Sequence, residues 1–281
     1  MPSRTLLTRT IAVASLAATA LTLTACAAGS GSSASADGYL TEGKLTIATG
    51  EPAYYPWIID NTPESGEGFE AAVAYAVADE LGFSKDDVVW VRSTFEEAIA
   101  PGSKNFDFNL QQFSITDERK QQVDFSSPYY ETTQTVITVE GSPAASATSI
   151  ADLRGLLIGA QTGTTSFQTI ESIIEPTAGA QVFNTNDDAK LALQNGTVDA
   201  IVVDLPTAFY LTGVELDGGT IIGQLPQVKG ATGDQFGLVL AKDSALTAKV
   251  TAAVDALRAN GTLDKLAEEW LASGADAPVL K

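Results

Sequence analysis

The 281-residue chain has no histidine, one cysteine (Cys26) and one methionine, which is residue 1. Each scarcity removes chemistry. Without imidazole there is no Ser-His-Asp or Cys-His nucleophile system. Without imidazole, and with a single thiol, zinc and copper sites of the nitrogen and sulfur kind are excluded as well. Carboxylates, lysines, tyrosines and hydroxyls are the groups left for catalysis, and no metal or other cofactor is expected. Positive charge is also scarce: 16 Lys and Arg stand against 35 Asp and Glu, a net charge of −19. The acids are spread along the chain. Such a surface repels nucleic acid and anionic lipid. It reads first as a solvated coat that keeps the protein soluble, and second as a field that draws in cationic solutes.

Long apolar runs are missing too. The longest, Ile11 to Leu23, is shorter than the about 20 residues that cross a bilayer, but with Arg4 and Arg9 before it the run suits a signal peptide. It ends in Leu23-Thr24-Ala25-Cys26, which resembles the lipobox of bacterial lipoproteins. That resemblance implies removal of residues 1–25 and a diacylglyceryl group on Cys26. The other reading is an ordinary leader with an incidental cysteine. Ala27 to Gly38 is Ala, Gly and Ser with one Asp, so 26–38 reads as the lipidated cysteine and a flexible tether. The expected location is outside the cytoplasm, lipid-anchored to the outer face of the cell membrane, or to its periplasmic face in a diderm.

Beyond the tether, strand and helix patterns alternate. Strands are expected at Lys44–Thr49, Val88–Arg92, Phe106–Leu110, Thr135–Val139, Leu156–Ala160, Gln181–Phe183, Ala200–Val203 and Phe236–Leu240. Helices are expected from Phe69 to Leu81, over Phe95–Ala100, after Thr116, after Ser149, over Phe167–Ile174 and Asp187–Asn195, and from Leu246 to Leu271 with a break at Asn260-Gly261. Alternation of this kind indicates an α/β fold with mainly parallel sheets.

Ligands of open α/β sheets bind beyond the carboxyl ends of strands. Three such places stand out. Arg119, in Ser114-Ile115-Thr116-Asp117-Glu118-Arg119, lies in a first helical turn, where the dipole disfavours a cation. An external anion would explain it, since a guanidinium grips a carboxylate with two parallel bonds; a surface salt bridge to Asp117 is the plainer account. Thr162 to Thr165 is a small-residue turn into a helix, fit to cradle an anion. Asp204 ends an apolar strand, where it suits an ammonium ion or serves as a helix cap. Two anion-binding elements and one cation-binding element match a zwitterionic α-amino acid. The loop Glu51-Pro52-Ala53-Tyr54-Tyr55-Pro56-Trp57 can wall its side-chain pocket.

These segments, with Gly68-Phe69-Glu70, Val123 to Tyr130, Ile158 to Ser166 and Asn260 to Lys265, come in an order that resembles the extracellular amino-acid-binding proteins of ABC importers, family 3. The resemblance covers about 39–275 and implies the two-lobed type II periplasmic binding protein fold, each lobe a mostly parallel sheet flanked by helices, joined by two hinge strands. Lobe 1 would be 39–133 plus 236–279, and lobe 2 would be 134–235. The resemblance implies that Arg119 holds the ligand's α-carboxylate with Thr165, next to Thr164. Asp204 would hold the α-ammonium, helped by Ser114 and the Gln112 carbonyl. Tyr54 would stack on the side chain, in a pocket lined by Glu51, Phe95, Gln111, Phe113 and Gln161, with Trp57 on its wall. Gln111-Gln112 replaces the small residues usual before the Ser-Ile-Thr segment, and Ala72 stands where a helix aspartate is common.

The implied protein is a monomeric receptor, not an enzyme, that passes an amino acid, by expectation a polar one, to ABC permease subunits. Two other readings share the fold: a binding protein reporting to a membrane sensor, and a dehydratase with Glu51 or Asp204 as general acid. The anchor is testable by itself. A Cys26→Ser form is expected to leave the membrane fraction on centrifugation while keeping its ligand affinity; retention in the pellet would contradict the lipid.

Overall fold

The computed structural model describes residues 37–227, 233–271 and 277–281. Cys26, the leader and all of the tether but Asp37 and Gly38 lie outside the described residues. Among those described, no helix is long and apolar enough to cross a membrane.

Two five-stranded sheets form the frame. The first has the order β2-β1-β3-β10-β4, from β1 (Leu45–Gly50), β2 (Val88–Ser93), β3 (Phe108–Asn109), β4 (Val123–Thr132) and β10 (Asp234–Ala241). The second has the order β7-β6-β8-β5-β9, from β5 (Gln134–Val139), β6 (Ile158–Gln161), β7 (Gln181–Phe183), β8 (Ala200–Asp204) and β9 (Gly219–Gln224). In each sheet one strand runs against the other four: β10 in the first and β5 in the second. The sheets are therefore mixed, with parallel cores.

Each sheet buries both faces. In the first, Leu45, Ile47, Phe108, Phe236 and Leu238 meet α1 (Phe69–Glu80), α8 (Thr247–Ala259) and α9 (Thr262–Trp270), with Trp57 and Phe69 filling the centre. Ala48, Val123 and Val239 face the other way, onto Ala98, Phe106 and Phe113. In the second sheet Val202 points to one core with Val136 and Ile158, while Ile201 and Val203 point to the other with Ile137. This alternation is the period of two that a strand dictates. Full burial of each such side chain contributes roughly 1.5–3 kcal/mol.

The expected helices form, most with the caps their sequence supplies. α2 (Phe95–Ile99) and α4 (Ile150–Leu153) open with capping boxes at Thr94/Glu97 and Ser149/Asp152. α3 (Asp117–Lys120) is capped by Thr116, α5 (Thr165–Thr169) by Thr164 and α6 (Asn186–Gln194) by Thr185. Gly261, in the left-handed region at φ 78°, separates α8 from α9 where the break was expected.

Two strands and a helix escaped the sequence reading. β4 is polar and contains Pro128, so its pattern reads as a loop; it is an edge strand, and its register slips at Pro128, where a missing N–H is tolerated. β9 is the other edge strand, and α7 (Leu205–Tyr210) begins with Pro206 at its second position. The boundary of lobe 1 also differs from expectation. Asp234 and Gln235, placed with lobe 2 by the sequence, begin β10 of the first sheet. The C-terminal residues, in contrast, join lobe 2. Val279 pairs with Gln224, the Gln224 N–H donates to Pro278 O at 2.8 Å, and Leu280 lies in the lobe 2 core.

The lobes connect through Thr133, between β4 and β5, and again between β9 and β10. The tail fits against β9 because residue 223 is glycine: a Cβ there would stand 2.6 Å from Pro278 O. A Gly223→Ala substitution is therefore expected to destabilise the protein by about 1–3 kcal/mol, read as a lowered melting temperature together with earlier cleavage of the C-terminus by carboxypeptidase.

Candidate functional site

Parallel strands aim their carboxyl ends, and the helix starts that follow them, at the space between the lobes. A cavity of about 290 Å³ lies there. Lobe 1 contributes the loop after β1 (Gly50 to Tyr54), Phe95 at the start of α2, the segment Gln111, Gln112 and Ser114 after β3, and Arg119 from α3. Lobe 2 contributes Gln161 at the end of β6, Thr164 and Thr165 at the start of α5, and Asp204 at the end of β8. Glu51, Tyr54, Phe95, Gln111, Gln112, Ser114, Arg119, Gln161, Thr164, Thr165 and Asp204 thus share one cavity wall.

Trp57 and Phe113 do not line it, contrary to the sequence reading. Trp57 is fully buried, edge-on to Phe69, Tyr130 and Phe236, and its indole N–H donates to Thr207 Oγ1 of lobe 2 at 3.0 Å. Phe113 is fully buried too, stacked under Phe95 with ring centroids 4.7 Å apart. Gln112 and Ser114 on either side of it line the cavity, while Phe113 itself packs into the core with Phe95 and Val239.

Among the described residues, Arg119 is the only Lys or Arg lining the cavity. Its guanidinium donates to Ser114 O at 2.7 Å in lobe 1 and to Gly163 O at 2.8 Å in lobe 2, with its carbon 5.2 Å from the Phe95 ring centre. It makes no salt bridge to Asp117, which pairs instead with Lys120. Burial pulls its pKa down to about 10, while Asp234, Glu118 and Asp204 oppose the shift, so it stays charged at neutral pH. Two of its five N–H donors serve those carbonyls. Beside it Thr165 opens α5, where the first amides have no intrahelical partner. The Thr164 hydroxyl is committed to the helix: it caps Phe167 N–H and donates to Gln161 O.

Asp204 stands at the cap position of α7, yet its side chain makes no capping bond. It accepts instead from Gln134 Nε2 at 3.0 Å, and the same amide also donates to Asp234. Burial and the neighbouring Asp234, with a further push from Glu70, raise Asp204 to about 8, against the pull of Gln134 and Arg119. An acid surrounded in this way favours a cation beside it. Gln112, also in the wall, sits at φ 51°, in the left-handed region that a residue with a side chain rarely adopts.

At the far end Glu51 is more than half exposed, and Arg92 Nε lies 3.9 Å from its carboxylate. Gln111 spends its NH2 group on Ser93 and Asn109, so its carbonyl oxygen is the part left to accept. The lobes also touch: Tyr55 stacks on Tyr210 at 4.2 Å outside the cavity, and Ser114 Oγ meets Thr165 Oγ1 at 3.0 Å in its wall. The pair is closed.

Several wall residues were missed. Asn184, Thr185 and Asn186 follow β7, and the strand-end rule that singled out the other loops applies equally to them. Asp234 and Gln134, which do not line the cavity but bond to Thr165 and Asp204, were out of reach, because only the order of strands brings β10 and β5 to this spot. Among the described residues, no group of three or more His, Cys, Asp or Glu is arranged to hold a metal ion.

Two sheets closing on a cavity with a buried arginine from one lobe and a half-buried aspartate from the other define a solute-binding protein of the two-lobed type. The sequence matches the bacterial extracellular solute-binding proteins, family 3, over residues 45–273, and the chain belongs to that family. It is similar to the L-arginine-binding protein of Pseudomonas aeruginosa, with 32% identity over 229 residues, 78% of this chain and 85% of that one. It is similar to the ABC transporter glutamine-binding protein GlnH of Bacillus subtilis, with 29% identity over 219 residues, 74% of this chain and 75% of that one. Among solved structures it resembles an ancestral arginine-binding protein bound to arginine: TM-score 0.67, 33% identity, 81% of this chain and 98% of that one.

The electrostatics are testable without any ligand. Asp204 is raised well above its ordinary value, so the folded protein holds a proton there that the unfolded chain releases between about pH 4 and pH 8. Stability attached to this group therefore falls as pH rises through that window. Asp204→Asn is expected to melt above the wild type at pH 8, with the gap shrinking toward pH 5; a gap independent of pH would contradict the buried acid.

Proposed function

We propose that the chain captures an L-amino acid with a cationic side chain, arginine before the others, and delivers it to the permease of an ABC importer from a lipid anchor at Cys26. Arg119 and the start of α5 at Thr165 take the α-carboxylate. Asp204 takes the α-ammonium, with Ser114 and the Gln112 carbonyl beside it. The side chain runs toward Glu51, between Tyr54 and Phe95. The protein performs no reaction; closure of the lobes is its work.

The observation that carries this reading is the asymmetry of the cavity: one guanidinium, Arg119, against acceptors nearly everywhere else. Glu51, Glu96 and Asp204 line it, and the Gln111 carbonyl oxygen adds another acceptor. A guanidinium group supplies five donors to such a wall and stacks on aromatic faces. The sequence alone suggested a polar side chain; the acceptor-rich far end supports a cationic one. The names of the relatives support an amino-acid ligand, arginine among them. Removing water from the closed site strengthens each charged contact, and the hinge at Thr133 lets the lobes part to admit the ligand.

A calorimetric panel of L-arginine, L-lysine, L-histidine, L-glutamine and L-glutamate tests the proposal. L-Arginine is expected to bind tightest; heat from none of the five would end the amino-acid reading. Truncating one partner of a buried charge pair costs roughly 2–5 kcal/mol. Arg119→Ala should therefore weaken the best ligand at least about a hundredfold, and an unchanged affinity would refute the assigned role.

A further inference from the structure

Gly68-Phe69-Glu70 is a motif that the ligand contacts leave unused. Glu70 is the second residue of α1 and fully buried. None of the ion pairs among the described residues includes it. Its carboxylate accepts from the Gln112 backbone N–H at 2.8 Å, from the Gln112 side-chain amide and from the Tyr129 hydroxyl. A buried charge needs such compensation, and the first turn of a helix adds to it. The three donors come from two places: the cavity loop after β3, and hinge strand β4.

Both donors of Gln112 are thereby turned away from the cavity that the residue lines. Its backbone carbonyl has no protein donor among the described residues. Across the cleft Glu70 adds to the upward push on Asp204. Burial pushes Glu70 up to about 7, against the pull of Tyr129 and Gln112.

We infer that Glu70 is a positioning residue for the ammonium half of the site: it clamps Gln112 in the left-handed conformation, so that the Gln112 carbonyl stands beside Asp204 to receive the ligand's α-ammonium. The inference rests on the binding reading above and adds the device that holds one of its acceptors. Without the clamp Gln112 relaxes to negative φ, and its peptide plane turns. A glutamine at position 70 cannot restore it, because a carboxamide turns an NH2 toward one of three incoming donors.

The test is a cycle between protein and ligand, read by calorimetry. Wild type and Glu70→Gln are each titrated with L-arginine and with 5-guanidinopentanoate, the same molecule without its α-amino group. Glu70→Gln is expected to weaken L-arginine about tenfold or more and the desamino compound less than about threefold, since coupled groups are non-additive. Equal losses for the two compounds mean a general structural role and overturn the inference. If Glu70→Gln shows no folded circular-dichroism spectrum, Gln112→Ala takes its place in the cycle. It deletes one of the three bonds, and a selective loss for L-arginine is again expected, with equal losses overturning the inference. Failure of the wild type to bind L-arginine at all would instead refute the reading of the site on which the inference rests.

Discussion

Arg119 is the contact around which the molecule is arranged. It bonds a carbonyl of each lobe and so measures whether they are together. It also stands in a first helical turn, where the backbone dipole works against it. Asp204 and Asp234 offset that penalty from the hinge, and Phe95 covers one side of the guanidinium. The result is a buried positive charge held between the lobes, with carbonyls of both as its partners.

The hinge brings two acids together. Gln134 opens β5, Asp204 ends β8 and Asp234 opens β10, and one amide group bonds both aspartates. Because β5 and β10 are the strands that run against their sheets, their ends meet where the lobes join. Two carboxyl groups are thus brought together where the lobes join, and the neighbouring Asp234 helps to hold a proton on Asp204.

Closure is not left to the ligand alone. Trp57 reaches from the core of lobe 1 to Thr207, and Tyr55 stacks on Tyr210. The aromatic loop after β1 therefore has two duties. Tyr54 faces the cavity, while Trp57, three residues on, anchors the loop and contacts the other lobe.

Much of this was legible in the chain. Periodicity and caps located all but one of the helices and most strands, because those signals are local: apolar spacing, a hydroxyl before a helix, a glycine after it. β4 and β9 were not legible, since an edge strand needs no continuous apolar pattern and β4 carries a proline. The strand-end rule found Arg119, Thr165 and Asp204, whose positions relative to their own strands decide where they point. It could not separate Phe113 from its neighbours, because which of three consecutive residues faces the cavity depends on how the loop packs on β10. Nor could it place Asp234, Glu70 or the C-terminal tail, which reach their partners through contacts between residues 42 to 100 positions apart or more. The sequence by itself determined the class of fold, the charge balance and the chemistry it excludes, since these follow from composition and local pattern. The tertiary structure alone decided which acids share a hinge, which aromatics line the cavity and which are core, because those follow from the order of strands and the closure of two lobes.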